Sequence, residues 1–439
     1  MMRTLSKILL CVAAASAASG CSWAAFDDLA DETWVDRAGA PSGVASNLFG
    51  EQIAASGVRG AGANFLVLGR NNASVGKLTY DTNGVKTQID AGSLGSFDFA
   101  AFQEHPAIAG DPLATKVGFS VVTLNGNDPN SNTKFIVYEV GGAFAGAQFE
   151  APPVLKAAKR VNGMEFADVD NDGKRDIIAA RTDQAVVVTD WASFSGGGAF
   201  AFTACNHGEE DSYAITSADF DGDNIPEIVL AAGGTDRASS SNVFIFEPSA
   251  ATQFNGTLSA APGSCFASTP AIATLSKTSI SVHDLGAQLG IVDEGMGPWV
   301  VATSPLTNQL FVFQNATQPD VTDLVVQSPP GAGAFGESLA IGDINGDGKP
   351  ELVVGAPKTT VNGQVNAGAV YIYSYDGAAF NVVAELHDSS PEAEQHFGKS
   401  VSVVPFGTSN QSIVVAGADG EVFTYFKTNL YLDVRAGHQ

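Results

Sequence analysis

Three short acidic segments carry oxygen-bearing side chains at one shared spacing, which is typical of a loop that binds a metal ion. When each segment is counted from its first aspartate, an Asp, Asn or Glu stands at positions 1, 3, 5 and 9. Alternate residues of a tight loop can turn their oxygen atoms toward one point, and a dense set of hard oxygen ligands favours Ca²⁺. The predicted side-chain ligands are Asp168, Asp170, Asp172 and Asp176 in the first acidic loop (168–176), Asp219, Asp221, Asp223 and Glu227 in the second acidic loop (219–227), and Asp343, Asn345, Asp347 and Glu351 in the third acidic loop (343–351).

Positions 6 and 7 of each loop are expected to act through the backbone. Position 6 needs a sharp turn with a positive φ, which suits Gly173 and Gly348, and Asn224 is the next best residue type there. Without a cation, so many carboxylates within a few ångströms would repel one another strongly. We therefore expect about three structural Ca²⁺ sites. The residues expected to add a backbone carbonyl at position 7 are Lys174, Ile225 and Lys349.

The residues that follow the loops distinguish this pattern from a helix-flanked calcium loop. An EF-hand needs an acid at position 12 and a helix after it, and a dockerin-like repeat also continues as a helix. Position 12 here is Ala179, Leu230 or Val354, and strand-forming residues come next. We therefore expect each acidic loop to lead into a β-strand.

The acidic loops belong to a longer repeat that predicts an all-β fold. Each loop is followed by an apolar run and then by a second run with strand character, and four further segments repeat the strand pattern without the loop. The unit spacing of roughly 45–75 residues fits a seven-bladed β-propeller of four-stranded antiparallel blades. The seven units start near residues 49, 117, 163, 213, 289, 335 and 397.

Such units are expected to pack into a ring. A single four-stranded sheet exposes two apolar faces and two open edges. Packing the sheets face to face around an axis buries the faces and leaves only short edges. A strand from one terminus usually completes a blade that the other terminus builds. Residues 33–35 are the first candidate for this strand, and residues 430–434 are the second. The propeller is expected to span residues 46–435.

The third acidic loop and its surroundings resemble the FG-GAP repeat of integrin alpha propellers and their bacterial relatives. The resemblance lies in Phe335-Gly336, in residues 342–357, and in residues 396–400, where the next repeat begins. It implies that each acidic loop joins the first two strands of a blade and rigidifies the propeller from one face. Position 9 is usually Asp in integrins, so Glu227 and Glu351 depart from the family pattern.

The N-terminal residues predict export from the cytoplasm. Arg3 and Lys7 form a positively charged segment before an apolar stretch, 8–18, that is too short to span a bilayer as a mature helix. Residues 18–21, Ala-Ser-Gly-Cys, resemble a bacterial lipobox, which implies cleavage before Cys21 and lipidation of its thiol. Residues 1–20 would then be a lipoprotein signal peptide, and residues 21–45 a tether that contains the possible closing strand.

The serine after Cys21 favours the outer membrane or cell surface, by resemblance to Gram-negative lipoproteins. The alternative is ordinary cleavage nearby, for instance after residues 24–25, which would give a periplasmic or secreted protein. In an oxidising compartment the remaining pair, Cys205 and Cys265, is expected to form a disulfide, and the alternative is two separate buried thiols.

The composition and the motifs of the chain limit the classes of function. The formal net charge of −25 repels phosphate backbones, so nucleic-acid binding is not expected. The six histidines show no metal-ligand spacing, and the sequence contains no Gly-x-Ser-x-Gly elbow. We therefore expect a non-enzymatic, calcium-stabilised binding or adhesion module that recognises a protein or glycan at the cell surface and meets the membrane through its lipid anchor only. The alternative is a polysaccharide-active lyase or hydrolase on a propeller scaffold.

Overall fold

A computed structural model describes most of the strands and turns between residues 35 and 425, and these residues form an all-β fold. Within this part of the chain there is no helix that could cross a bilayer. The described residues are 35–39, 49–55, 63–68, 75–80, 86–90, 108–110, 116–122, 133–139, 146–150, 161–169, 171, 173, 175–181, 184–188, 202–205, 211–233, 241–246, 273–275, 284–314, 323–405 and 412–425.

The described strands assort into seven antiparallel sheets of four strands each. The first sheet contains β2 (Gln52–Ala55), β3 (Ala63–Leu68), β4 (Val75–Tyr80) and β5 (Lys86–Asp90). The second contains β6 (Ile108–Gly110), β7 (Lys116–Val122), β8 (Thr133–Glu139) and β9 (Gly146–Glu150). The third contains β10 (Val161–Ala167), β11 (Asp176–Arg181), β12 (Gln184–Val188) and β13 (Phe202–Cys205). The fourth contains β14 (Asp211–Ala218), β15 (Glu227–Gly233), β16 (Ser241–Phe246) and β17 (Ala273–Leu275).

The last three sheets follow the same order along the chain, with one exception. The fifth contains β18 (Leu289–Asp293), β19 (Pro298–Ser304), β20 (Gln309–Phe313) and β21 (Asp323–Gln327). The sixth contains β22 (Ser338–Gly342), β23 (Glu351–Ala356), β24 (Ala369–Tyr375) and β25 (Phe380–Leu386). The seventh contains β26 (Ser400–Pro405), β27 (Ser412–Ala418), β28 (Glu421–Tyr425) and, from the other end of the chain, β1 (Val35–Gly39).

The N-terminal strand β1 completes the seventh sheet. It pairs antiparallel with β28, from Val35 opposite Tyr425 to Gly39 opposite Glu421. The guanidinium of Arg37 also donates to the carboxylate of Asp388, which is buried after β25. Val35 is the one residue of the two candidate closing segments that the structure describes, and it lies in β1. Residues 33–34 and 430–434 are outside the described residues.

The predicted starts of the repeat units agree with the sheets in all cases but one. The units near 163, 213 and 289 begin in the first strands β10, β14 and β18, and those near 49, 335 and 397 begin a few residues before β2, β22 and β26. The unit placed near 117 begins in β7, which is the second strand of its sheet. The prediction missed β6 because a strand of three residues is too short to show a periodic pattern.

The first strands of consecutive sheets contact one another, from β2 and β6 through to β22 and β26, and β26 in turn contacts β2. The apolar run at residues 228–232 of β15 is entirely buried, as the sequence pattern predicts. In the sixth sheet, all residues of β23 and β24 are buried. The core therefore lies between neighbouring sheets.

A Phe-Gly turn precedes the first strand of three sheets and brings neighbouring sheets together. Phe49, Phe335 and Phe397 are fully buried, and the glycine after each has a positive φ between 83° and 93°. Phe397 packs its ring edge-on against Phe423, with 5.1 Å between the ring centroids. The side chain fills the space between two sheets, and the glycine lets the backbone turn away at once.

Beyond this turn, a serine hydroxyl of one sheet donates to a main-chain carbonyl of the next sheet. The hydroxyl of Ser338 donates to the carbonyl of Gly398 at 2.8 Å, and the hydroxyl of Ser400 donates to the carbonyl of Gly50 at 2.7 Å. A Cβ atom at Gly417 would overlap the carbonyl oxygen of Gly50. The same arrangement thus joins the sixth sheet to the seventh and the seventh sheet to the first.

A charged group reinforces the junction between the seventh and first sheets. The ammonium of Lys399 contacts the buried carboxylate of Glu51 at 2.6 Å and that of Asp419 at 3.0 Å. Burial disfavours the charged lysine, but its bonds with Glu51 and Asp419 prevail and raise the pKa of Lys399 above its usual range. The Nδ1 atom of His396 lies 3.0 Å from Asp419.

Replacing Gly417 with alanine should destabilise the protein, because the new Cβ would overlap the backbone of Gly50. Main-chain atoms cannot move aside as a flexible side chain can, so we expect to lose about 1–3 kcal/mol of unfolding free energy. Gly39→Ala is the matched control, since nothing lies within 4 Å of its Cβ position. Urea denaturation compares the two variants, and equal stability would contradict the close approach of the sheets.

Candidate metal centre

The three acidic loops occupy the same place in three sheets. The first joins β10 to β11, the second joins β14 to β15, and the third joins β22 to β23. Each therefore connects the first two strands of its sheet, as the resemblance implies, and each leads into a strand as the sequence predicts. The residue at position 9 begins the second strand and is buried in all three cases, as Asp176, Glu227 and Glu351.

Among the described residues of each loop, two have a left-handed backbone. Position 6 has a φ of 82° at Gly173, 69° at Asn224 and 86° at Gly348, which confirms the predicted turn. Position 4 is also left-handed, and sequence reasoning missed it. Its signal was present, because Gly and Asn are the residues that adopt this conformation most readily. The position 4 residues are Asn171 with φ 57°, Gly222 with φ 84° and Gly346 with φ 81°.

The backbone of the second acidic loop is held by its own acidic side chains. Asp219 accepts hydrogen bonds from the N–H groups of Gly222 at 2.6 Å and Asn224 at 2.9 Å. Asp221 accepts from the N–H of Asp223 at 3.0 Å, and Asp223 accepts from that of Ile225 at 2.7 Å. These bonds wind the loop around its carboxylates.

Three of the four predicted side-chain ligands in the second acidic loop converge. One carboxylate oxygen each from Asp219, Asp221 and Glu227 lies within 4.8 Å of the others. Asp223 is not a member of this group, which is the one such cluster of His, Cys, Asp or Glu among the described residues. Glu227 is oriented by the N–H of Phe220, which donates to it at 2.7 Å.

The electrostatics of this cluster favour a positive charge. The pKa of Glu227 is raised to about 7, chiefly by burial. The hydrogen bond from Phe220 opposes this rise, and the charges of Asp221 and Asp219 contribute to it. A cation among the three oxygens would counter both the lost hydration and the repulsion. The donor set consists of carboxylates alone, which suits a hard cation such as Ca²⁺.

The third acidic loop repeats the same hydrogen bonds. Asp343 accepts from the N–H groups of Gly346 at 2.6 Å and Gly348 at 2.9 Å. Asp347 accepts from the N–H of Lys349 at 2.9 Å. At position 9, Glu351 accepts from the N–H of Ile344 at 3.0 Å. The third loop therefore has the backbone of the second loop, residue for residue.

Asn345 distinguishes the third acidic loop from the second. Its Nδ2 atom donates to Glu351 at 3.0 Å and to Asp347 at 3.2 Å, and its Oδ1 atom accepts from the N–H of Asp347 at 2.8 Å. The nitrogen of the amide, and not the oxygen, thus faces the neighbouring carboxylates. Its predicted role as an oxygen ligand would require the amide to turn.

The described part of the first acidic loop shows two of these bonds. Asp168 accepts from the N–H of Gly173 at 3.0 Å, and Asp176 accepts from the N–H of Val169 at 3.0 Å. They are the bonds that positions 1 and 9 make in the other two loops. The remaining predicted residues of this loop, Asp170, Asp172 and Lys174, lie outside the described residues.

A turn in the fifth sheet occupies the position that the acidic loops occupy in the other sheets. Asp293 accepts from the N–H groups of Gly295 at 2.7 Å and Gly297 at 3.2 Å. Glu294 is buried, and its carboxylate lies 3.9 Å from the ammonium of Lys349 in the third acidic loop. The sequence motif did not reveal this link between neighbouring sheets, because it joins residues of two different repeats.

The predicted cysteine chemistry stays a prediction. Cys205 ends β13, the last strand of the third sheet. Its expected partner Cys265 and the expected lipidation site Cys21 lie outside the described residues.

Family comparison finds two repeats in the chain. The FG-GAP repeat model matches residues 335–373, and the FG-GAP-like repeat model matches residues 168–230. The first range contains the third acidic loop, and the second range contains the first two loops. The three loops therefore lie within recognised repeats.

Curated relatives with significant similarity include integrin alpha-7 from three mammals. The chain is 38% identical to the Homo sapiens protein over 104 residues, which cover 22% of this chain and 8% of the relative. Identity to the Mus musculus protein is 32% over 26% of this chain and 10% of the relative, and to the Rattus norvegicus protein 33% over 25% and 10%. The match thus spans a tenth or less of the length of these relatives.

The left-handed turn at position 6 can be tested at Asn224. An alanine there must adopt a φ near 69°, which costs about 1 kcal/mol relative to glycine because its Cβ crowds the carbonyl. Asn224→Gly should therefore be more stable than Asn224→Ala by about that amount. Thermal denaturation of both variants, each with and without Ca²⁺, measures this difference. An alanine variant as stable as the glycine variant would argue against the left-handed turn.

Proposed function

Because the chain is an FG-GAP repeat protein of the integrin alpha-like kind, we propose that it is a calcium-stabilised β-propeller that binds a protein or glycan outside the cytoplasm. One observation carries the calcium part of this proposal. Asp219, Asp221 and Glu227 bring three carboxylate oxygens within 4.8 Å of one another, inside a segment that matches the repeat. Such a group is stable only with a counter-charge or with uptake of protons.

A closed ring of seven blades is the architecture that we propose for the whole domain. It is supported by the seven four-stranded sheets and by the contacts between their first strands, which return from β26 to β2. It is also supported by the Ser-Gly contact, which recurs from the sixth sheet to the seventh and from the seventh to the first. Closure by β1 gives the seventh sheet its fourth strand.

We propose that Ca²⁺ is held at up to three places, by the side chains predicted from the sequence. The second acidic loop has the described geometry that fits best, and the first and third loops share its strand connection and its backbone bonds. When bound, the cation neutralises the carboxylates and holds each loop closed. Because each loop leads into a buried second strand, the bound cation should stiffen the sheet as well as the loop.

The N-terminal export signal and the resemblance to integrin alpha support a place at the cell surface. The export signal with Cys21 at its end supports a lipid anchor in the outer membrane, with a short tether before the domain. The resemblance to integrin alpha implies a binding role and not catalysis. The domain would then present its ligand-binding surface close to the membrane, with a protein or glycan as the partner.

Removing calcium should destabilise the fold. A cation that binds only the native state adds RT ln(1 + [L]/Kd), so three sites at tenfold their Kd would give about 4 kcal/mol. Excess EDTA in a metal-stripped buffer should therefore lower the melting temperature, and added Ca²⁺ should restore it. Mg²⁺ at the same concentration is the control, because it prefers a smaller octahedral site. A melting curve that EDTA leaves unchanged would refute the calcium proposal.

Cys21→Ser should release the protein from the membrane fraction while leaving the domain folded. The substituted residue cannot accept lipid, and β1 begins at Val35, well after the change. Fractionation of cells that express each form, with an inhibitor of lipoprotein processing as a second arm, measures the effect. If the wild-type protein is also wholly soluble, the lipid anchor is wrong and the protein is periplasmic or secreted.

Ligand binding should depend on calcium. We expect the purified protein to capture a ligand from a glycan array or from a panel of surface proteins in Ca²⁺, and to lose most of that capture in EDTA. A polysaccharide panel assayed for newly formed chain ends serves as the second arm. Cleavage of a polysaccharide without stable capture would favour the lyase or hydrolase alternative over a binding module.

A further inference from the structure

Two of the acidic loops differ in how their negative charges are balanced, and this difference deepens the calcium function proposed above, on which it rests. We propose that the third acidic loop stays folded without a cation, because two groups, the amide of Asn345 and the ammonium of Lys349, hold it in place where the second loop needs Ca²⁺. The Asn345 amide should also compete with the cation for these carboxylates, so the third loop should bind Ca²⁺ more weakly than the second.

Asn345 provides the first of these groups. Its Nδ2 atom bridges Glu351 and Asp347 at 3.0 and 3.2 Å, so an N–H donor lies between two carboxylates. The orientation of the amide is fixed by its other end, because Oδ1 accepts the N–H of Asp347 at 2.8 Å. To offer oxygen to a cation, the amide must give up both carboxylate contacts, which makes it an internal competitor.

Lys349 provides the second group and connects the loop to the neighbouring sheet. Its ammonium lies 3.9 Å from the carboxylate of Glu294, whose side chain is 1% exposed in the turn between β18 and β19. Burial of the Glu294 carboxylate limits how far water can screen its attraction to the ammonium. The pair holds position 7 of the loop against the fifth sheet.

The second acidic loop contains neither group. Asp221 stands at the position of Asn345, and Ile225 stands at the position of Lys349. The backbone bonds are nevertheless the same, since the N–H groups at positions 4 to 7 donate to the side chains at positions 1, 3 and 5 in both loops. Equivalent backbone amides can therefore report a difference in stability between the two loops. They are amides 222–225 in the second loop and 346–349 in the third.

Hydrogen exchange of these matched amides, measured by mass spectrometry on the full-length protein, tests the proposal. In Ca²⁺ both loops should be protected. In EDTA the amides of the second loop should exchange at least about tenfold faster than those of the third, because they open in the absence of the cation. A calcium titration followed at each loop gives the two affinities separately.

Reciprocal variants separate the role of Asn345 from general stability. Asn345→Asp should speed exchange of the third loop in EDTA and at the same time tighten its Ca²⁺ affinity, since it removes the competitor and adds a charged ligand. Asp221→Asn should do the reverse in the second loop. Glu294→Gln should speed exchange near Lys349 in EDTA without changing any side chain predicted to bind the cation.

The possible outcomes distinguish this inference from the function on which it rests. If Ca²⁺ protects neither loop in the wild-type protein, the calcium function fails and the inference fails with it. If Ca²⁺ protects both loops but they exchange alike in EDTA, the calcium function stands and the inference is wrong. A loss of both protection and affinity in Asn345→Asp would likewise overturn it, because that pattern marks a merely structural residue.

Discussion

The close approach of main chain to main chain between sheets is the constraint on which the rest of this structure depends. A lone four-stranded sheet leaves both apolar faces in water, so each sheet must pack against a neighbour. At two junctions a glycine lies against the carbonyl of the glycine in a Phe-Gly turn. Gly355 lies against Gly398 in this way, and Gly417 lies against Gly50. A side chain at either glycine would force the sheets apart. Small residues therefore set the distance between sheets, and the buried apolar strands fill the space that remains.

The acidic loops depend on this packing because each ends inside it. Position 9 is both the last oxygen-bearing residue of the loop and the first residue of a buried strand, as Glu227 and Glu351 show. Its carboxylate accepts the N–H of position 2, so the start and the end of the loop are joined at the edge of the core. A charge placed in the loop thus acts directly on the buried strand that begins at position 9. The surface loop and the core therefore form one unit.

The sequence predicted features that local chemistry specifies and missed those that depend on partners far along the chain. The strands, the acidic loops and the left-handed position 6 follow from residue types at short spacing, as at Asn224. The pairs Lys399 with Glu51 and Lys349 with Glu294 join different sheets, and no spacing within one repeat specifies them. Position 4 was missed for another reason, because it carries no predicted ligand, although the residue types of Gly222 and Gly346 signal its left-handed turn.

The pairing of β1 with β28 has a mechanical consequence. A pulling force applied at the N-terminus enters the domain through β1, which is held by five residue pairs and by the contact of Arg37 with Asp388. When the pull runs along the strand, all the hydrogen bonds of the ladder resist together in shear and do not open one after another. Arg37 also lies 4.9 Å above the ring of Phe423, within the same sheet. The strand that completes the seventh sheet is therefore also the first to bear load when the chain is pulled from its N-terminal end.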